Sequence, residues 1–138
     1  MVAGSEPEKS FRSFALANHN FDHMYLNLSD QLCSRACTLH PGCTGCTSAC
    51  EPDLLIMGTP CNPFSIQRGK RFKGTVLDHH LSDHTFTDSY KMLEMFQPIH
   101  AVFEQTDGFG KPIEAGSNQT PLQMFLDSSI LDQKNSFE

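Results

Sequence analysis

The sequence predicts an α/β fold built on a parallel sheet, and three observations carry that expectation. Residues 54–57 (LLIM) are four consecutive large apolar residues bounded by Asp53 and Gly58, the mark of a short strand buried on both faces. Residues 99–103 (IHAVF), ending at Glu104, are a second candidate of the same kind. Between them Phe86, Tyr90, Leu93 and Phe96 recur at helical spacing, and Pro98 stops the helix. The resulting order of strand, loop, helix, strand, loop, helix is one that right-handed crossovers turn into a parallel sheet.

The 138 residues allow one domain at most. Residues 1–22 read as a tail and a short helix: 1–10 are polar, acidic and read as disordered, while Phe11, Phe14, Ala15 and Leu16 have helical spacing. Residues 23–138 read as the folded part. It opens with residues 23–28 (HMYLNL), where Met24, Leu26 and Leu28 alternate as in a strand that Ser29 and Asp30 end. Residues 33–50 (CSRACTLHPGCTGCTSAC) are rich in Gly, Ser and Thr, and read as a loop whose shape must come from its cysteines. The prolines at 60 and 63 forbid regular structure around Cys61. Residues 67–73 (QRGKRFK) form a basic tract and read as a mobile, solvated loop. Thr85, Phe86, Thr87 and Asp88 read as a capping box for the helix. Gly108 and Gly110 mark a loop, and Thr120-Pro121 supplies an N-cap and first residue for a last helix through Leu122, Phe125 and Leu126.

Composition narrows the function. A net charge of −6 and a pI near 5.5 argue against a free-standing nucleic-acid binder, which carries a basic face. No apolar run approaches the length of a membrane span, and the acidic N-terminus has no signal-peptide core. The expected setting is intracellular, with reduced thiols. Five of the six cysteines, Cys33, Cys37, Cys43, Cys46 and Cys50, crowd into the insert with His40 among them. Four of these six residues would satisfy tetrahedral zinc, in several combinations. Free thiols in a flexible insert and disulfides stay open beside zinc.

In parallel α/β sheets the reactive groups sit on loops beyond the carboxyl ends of the strands. Cys61 and Glu104 both fall there, and adjacent strands would make them neighbours. A thiol is a good nucleophile only as thiolate, a form that nearby Arg68, Lys70 and Arg71 would favour. The plain alternatives are a buried structural thiol at Cys61 and a solvated strand-end charge at Glu104.

Residues 58–65 (GTPCNPFS) resemble the nucleophile motif of the DNA cytosine-5 methyltransferases, a Pro-Cys pair after a buried strand followed by Phe-Ser. Residues 98–104 (PIHAVFE) resemble the strand that delivers the family's catalytic glutamate, with Gln105-Thr106 where the family usually has Asn-Val. The resemblance implies a partial Rossmann-like, S-adenosylmethionine-dependent methyltransferase fold, incomplete at both ends, that transfers a methyl group to cytosine C5 in DNA. Cys61 would add to C6 of a flipped-out cytosine, and Glu104 would contact N3 and the exocyclic amine. By the same matching Pro60 would lie against S-adenosylmethionine, and Asn27 stands where the family has an Asp touching the cofactor adenine. Ser65 and Gln67 would face the displaced base or its phosphate, with Arg68 a further DNA contact.

The family's Gly-rich cofactor loop has no counterpart before Phe11, its later Arg-containing motif and target-recognition region have none after Leu131, and Ser82–Thr85 replace the Arg of the intervening helix. Little activity is therefore expected of this chain alone, and a complementing chain is the expected partner besides DNA. A nuclear location follows if the source is eukaryotic. The alternative is a non-catalytic, Cys-rich zinc-binding or interaction module on a degenerate methyltransferase scaffold.

Overall fold

The N-terminal segment is ordered, against the expectation of a disordered tail. A computed structural model describes residues 3–33, 35–42, 46, 52–69, 71 and 73–127 of the chain, and in it β1 (Ala3–Ser5) pairs with β2 (His23–Tyr25). The pairing is parallel, from Ala3↔His23 to Ser5↔Tyr25. Parallel strands need a crossover, and α1 (Lys9–Asn18) provides it. Glu8 caps α1 by accepting from the Ser10 N–H, and Arg12 Nη1 reaches back to the Glu6 carbonyl at 2.6 Å. No residue of α1 is buried, and Phe11 and Phe14 are exposed.

The next strand is shorter than its alternation suggests. β2 stops at Tyr25, because Asn27 becomes the N-cap of α2 (Leu28–Leu32), its Oδ1 accepting from the Asp30 N–H at 2.8 Å. An Asn side chain offers the backbone this local bond in competition with a strand ladder, and here the local bond wins. Leu26, an expected strand residue, is exposed. After α2 the chain returns to β2: Thr38 donates to the Met24 carbonyl through both its N–H (2.7 Å) and Oγ1 (2.9 Å).

β1, α1, β2 and α2 lie in the first of two compact units, Met1–Asp53 with Lys91–Ile99; the second is Leu54–Tyr90 with His100–Glu138. In the second unit β3 (Leu54–Gly58) lies beside another strand in a parallel pair. The connection runs through a π-helical turn at His84–Asp88 and α3 (Ser89–Phe96), which ends at Gln97 (φ 42°) just before Pro98. β4 (His100–Glu104) then completes the pair, in register from Leu54↔His100 to Gly58↔Glu104. The α/β class with parallel pairing is thus present, as two two-stranded sheets, β1–β2 and β3–β4.

Two further expectations need correction. The strands were read as buried on both faces, yet Leu54 (50%), Ile56 (69%) and Val102 (51%) are exposed, while Met57 is buried. Alternate residues of a strand point to opposite faces, and among the described residues no element of the second unit covers the outward one. The capping box is also absent: Asp83 caps the helix without a side-chain bond, and Thr85 is wholly buried with Oγ1 donating to the Pro60 carbonyl at 3.3 Å. A tertiary bond has claimed the hydroxyl that sequence assigned to a local one.

The second unit packs around aromatic rings. Phe64 meets Phe109 edge-on at 4.9 Å, and Phe125 stacks on Phe103 at 4.6 Å, spacings at which ring pairs add to simple burial. Phe125 belongs to α4 (residues 121–127), whose start follows expectation: Thr120 Oγ1 accepts from the Gln123 N–H at 3.1 Å and Pro121 is the first helical residue. No described helix is long and apolar enough to cross a membrane.

Gly108 is where the unit closes most tightly. A Cβ at this position would lie 1.8 Å from the Phe64 carbonyl oxygen and 2.9 Å from its carbon, both backbone atoms. Gly108→Ala is therefore expected to destabilise the protein by about 3 kcal/mol, because overpacking forces backbone to move. Gly69→Ala, at a site with nothing within 4 Å, serves as control and is expected to change stability by less than about 0.5 kcal/mol. Urea unfolding of the two variants measures the difference; equal midpoints would show that the close approach does not hold.

Candidate functional site

The Gly58↔Glu104 pairing brings the loops after β3 and β4 out at the same level of the sheet. Past Gly58 the chain turns sharply. The Cys61 carbonyl accepts the N–H groups of Phe64 (3.0 Å) and Ser65 (3.1 Å), and Pro60 and Pro63 stiffen this turn by fixing their φ angles. Cys61 and Pro60 are half-buried and Pro63 is buried.

Side-chain bonds join the two loops. Gln105 Nε2 donates to both the carbonyl (3.1 Å) and Oγ1 (2.9 Å) of Thr59, linking the residue after Glu104 to the approach to Cys61. Gln105 Oε1 is shielded from solvent and has no hydrogen-bond partner among the described residues. Glu104 itself is exposed, and its Oε2 lies 3.6 Å from where a Cβ on Gly58 would stand. A carboxylate thus rests over a glycine at the carboxyl end of β3. Beyond Glu104 a cleft of about 410 Å³ runs along Phe103, Phe109 and Phe125, with Gln105 and Asp107 on its polar side; neither Cys61 nor Glu104 lines it.

The strongest link between the loops comes from a residue that sequence placed in solvent. Arg71 is 2% exposed, so at this position the tract is anchored rather than solvated, while Gln67, Gly69 and Lys73 are exposed. Its guanidinium donates to the carbonyls of Phe64, Gly108 (2.7 Å), Pro112 (3.1 Å) and Lys111 (3.4 Å). Burial, and then the charge of Arg68, lower its pKa from the usual arginine value. Arg68 Nη1 is bonded to the Pro63 carbonyl at 3.2 Å, and Lys70 lies outside the described residues. The cations expected to favour a Cys61 thiolate are therefore, where described, engaged with backbone carbonyls. A planar fork of donors is the group that can bind several carbonyls at once.

The remaining assigned residues are placed as follows. Ser65 is half-buried, with Oγ accepting from the Gln67 N–H at 3.2 Å, and Gln67 is exposed; with Arg68 they continue the Cys61 turn. Asn27 lies beyond the end of β2 and spends its side chain on α2, with Nδ2 also donating to Asp30 Oδ2 at 2.9 Å.

A second constellation lies in the first unit. Cys33, at the C-cap of α2, is exposed; Cys37 and Cys46 are buried; Cys43 and Cys50 lie outside the described residues. Cys37 Sγ is 3.5 Å from His40 Nδ1 and 3.8 Å from His23 Nδ1. One donor atom from each of His23, Cys37, His40 and Cys46 falls within 4.8 Å of the other three. Burial pushes the Cys37 thiol up, but bonds with the Met24 backbone, His23, His40 and the Leu39 backbone outweigh it and bring its pKa down to about 6. Tyr25 fixes the far side of the group, its hydroxyl donating to the Cys46 carbonyl at 2.6 Å. His23 was read only as the start of a strand, since its separation from Cys37 follows no familiar metal spacing.

No protein-family model, no curated protein and no solved structure matches the chain.

Arg71→Met is expected to destabilise the protein by about 3 kcal/mol or more, because it strands buried carbonyls whose bonds to a charged donor contribute about 1.5–3 kcal/mol each. Arg71→Lys keeps the charge without the fork and is expected to recover only part of the loss. Denaturant midpoints of the three proteins test this, and an unshifted Arg71→Met midpoint would refute it.

Proposed function

We propose that this chain carries the nucleophile and partner acid of a DNA cytosine-5 methyltransferase, within a partial Rossmann-like catalytic domain. One observation carries the reading: β3 and β4 are adjacent and parallel, so the Cys61 loop and Glu104 emerge at the same end of one sheet. The Gln105–Thr59 bonds and the Arg71 contacts support it by tying the two loops together. The motif residues at 58–65 and 98–104 supply the chemistry this placement calls for.

In this reaction the Cys61 thiolate adds to C6 of a cytosine flipped out of the duplex, forming an S–C6 bond and making C5 nucleophilic. Glu104 holds N3 and the exocyclic amine and offsets charge as the ring is attacked. S-adenosylmethionine, when bound, supplies the methyl group that C5 takes. Loss of the C5 proton to a base then expels the Cys61 sulfur by β-elimination and restores the ring. Pro60 flanks the nucleophile on the side assigned to the cofactor, and Ser65, Gln67 and Arg68 continue the same turn toward DNA.

Cofactor binding is the weak part of this chain. Asn27 is occupied in capping α2, and the described residues form no Gly-rich cradle for the methionine end. Catalysis by positioning needs that cradle. The Gly-rich loop and target-recognition region are thus proposed to come from outside the described residues, and for the test they are supplied by a complementing chain.

The test is covalent trapping on DNA containing 5-fluorocytosine, which blocks β-elimination, with S-adenosylmethionine and such a complementing chain present. Wild type is expected to give a denaturation-resistant adduct at Cys61, and Cys61→Ala none. Glu104→Gln is expected to slow adduct formation by about 10²–10⁴-fold, the range for loss of a positioned acid. Equal behaviour of wild type and Cys61→Ala would overturn the reading.

A further inference from the structure

We propose that His23, Cys37, His40 and Cys46 bind one structural zinc ion. The donor set is two ring nitrogens and two sulfurs, which is the tetrahedral set that selects zinc among the common divalent ions. Zinc–sulfur and zinc–nitrogen bonds of about 2.3 and 2.0–2.1 Å at a tetrahedral angle put S and N about 3.6 Å apart. Cys37 Sγ already stands 3.5 Å from His40 Nδ1 and 3.8 Å from His23 Nδ1. The widest separation in the group, within 4.8 Å, needs a contraction of about 1 Å to reach a tetrahedral edge.

The backbone assembles this group from three separate stretches of chain. His23 opens β2; Cys37 and His40 come from the segment that the double Thr38–Met24 bond holds against that strand. Cys46 is brought in by the bond from the Tyr25 hydroxyl to its carbonyl. Cys37, Cys46 and Tyr25 form one buried cluster, whereas His40 is exposed, so the site has a protein side and a solvent side through which an ion can enter. Cys37 and Cys46 are thiols and not a disulfide.

The physical need is plain. The segment from Cys33 to Cys50 has few large apolar residues to bury, and a stretch without a core is ordered by metal or cross-links. Four protein ligands close the coordination sphere and leave no position for water or substrate, which assigns the ion to structure rather than catalysis. The inference stands apart from methyl transfer, since none of its four residues serves that reading.

The full chain, purified without chelator under reducing conditions, is expected to hold about one zinc per chain by elemental mass spectrometry, as a closed four-ligand site requires. Stripped and reloaded with cobalt alone, it is expected to show the intense visible bands of tetrahedral cobalt and a near-ultraviolet charge-transfer band of two-thiolate intensity. This spectrum needs no variant, so it decides the case even where a substitution prevents folding. His23→Ala, Cys37→Ser and His40→Ala are each expected to weaken zinc binding by more than about 100-fold, beyond the loss caused by removing an outer-shell partner. Cys33→Ser, Cys61→Ser and the Cys43→Ser/Cys50→Ser double variant are expected to keep it. Less than about half an equivalent of zinc would overturn the proposal. So would a cobalt spectrum without thiolate charge transfer, or binding that survives His23→Ala but fails in the Cys43→Ser/Cys50→Ser variant.

Discussion

A single buried guanidinium fixes the geometry around which the rest of the second unit is arranged. Arg71 binds carbonyls from Phe64, Gly108, Lys111 and Pro112, joining residues that lie as far as 41 positions from it in sequence. Removing a cation from water is costly, and the cost is offset only when its donors find acceptors in good geometry. Here the acceptors are main-chain carbonyls of two loops that would otherwise be free to move. Gly108 makes the arrangement possible, since only a residue without Cβ lets its backbone approach Phe64 so closely. Phe64 and Phe109 then meet edge-on, and the loop after β3 is locked to the loop after β4.

The first unit meets a different shortage. Among the described residues its buried apolar side chains are Met24, Tyr25, Cys37, Cys46, Met92 and Phe96, and the Cys-rich segment itself supplies only the two cysteines. Hydrogen bonds from Thr38 and Tyr25 bring the Cys-rich segment to the strand, but such bonds exchange against water and contribute modestly. A zinc ion at the His/Cys group, as proposed, would supply the cross-link that hydrophobic burial does not. The two units thus tie their loops down by different means, a buried cationic side chain beside aromatic packing in one and the proposed metal in the other.

Much of the second unit was legible because its signals are local. The apolar run at Leu54, the helical spacing of Phe86 and Tyr90 and the Thr120-Pro121 start each depend on near neighbours, and each formed the expected element. Other signals failed where a distant partner outbid a near one. Thr85 looked like a cap and instead bonds Pro60; Arg71 looked solvated and is buried; Asn27 looked like a strand end and caps a helix. Strand burial was overestimated at Leu54, Ile56 and Val102 because a run of apolar residues reports what a sheet face prefers, not whether anything covers it. The N-terminal strand was missed because Ala3, Gly4 and Ser5 carry no β signal of their own; their pairing is supplied by β2.

By itself the sequence determined the α/β class, the parallel strand pair with a helix between, and the place of Cys61 on the loop after the first of those strands; Glu104, expected just past the second strand, is instead its last residue. Those follow from hydrophobic periodicity and from prolines and glycines, which act over a few residues. Only the tertiary structure decided the register that levels Gly58 with Glu104, the commitment of Arg71 to backbone carbonyls, and the meeting of His23 with Cys37, His40 and Cys46. The reason is the same in each case: these contacts join residues far apart in the chain, and their energy exists only once the loops between them have closed.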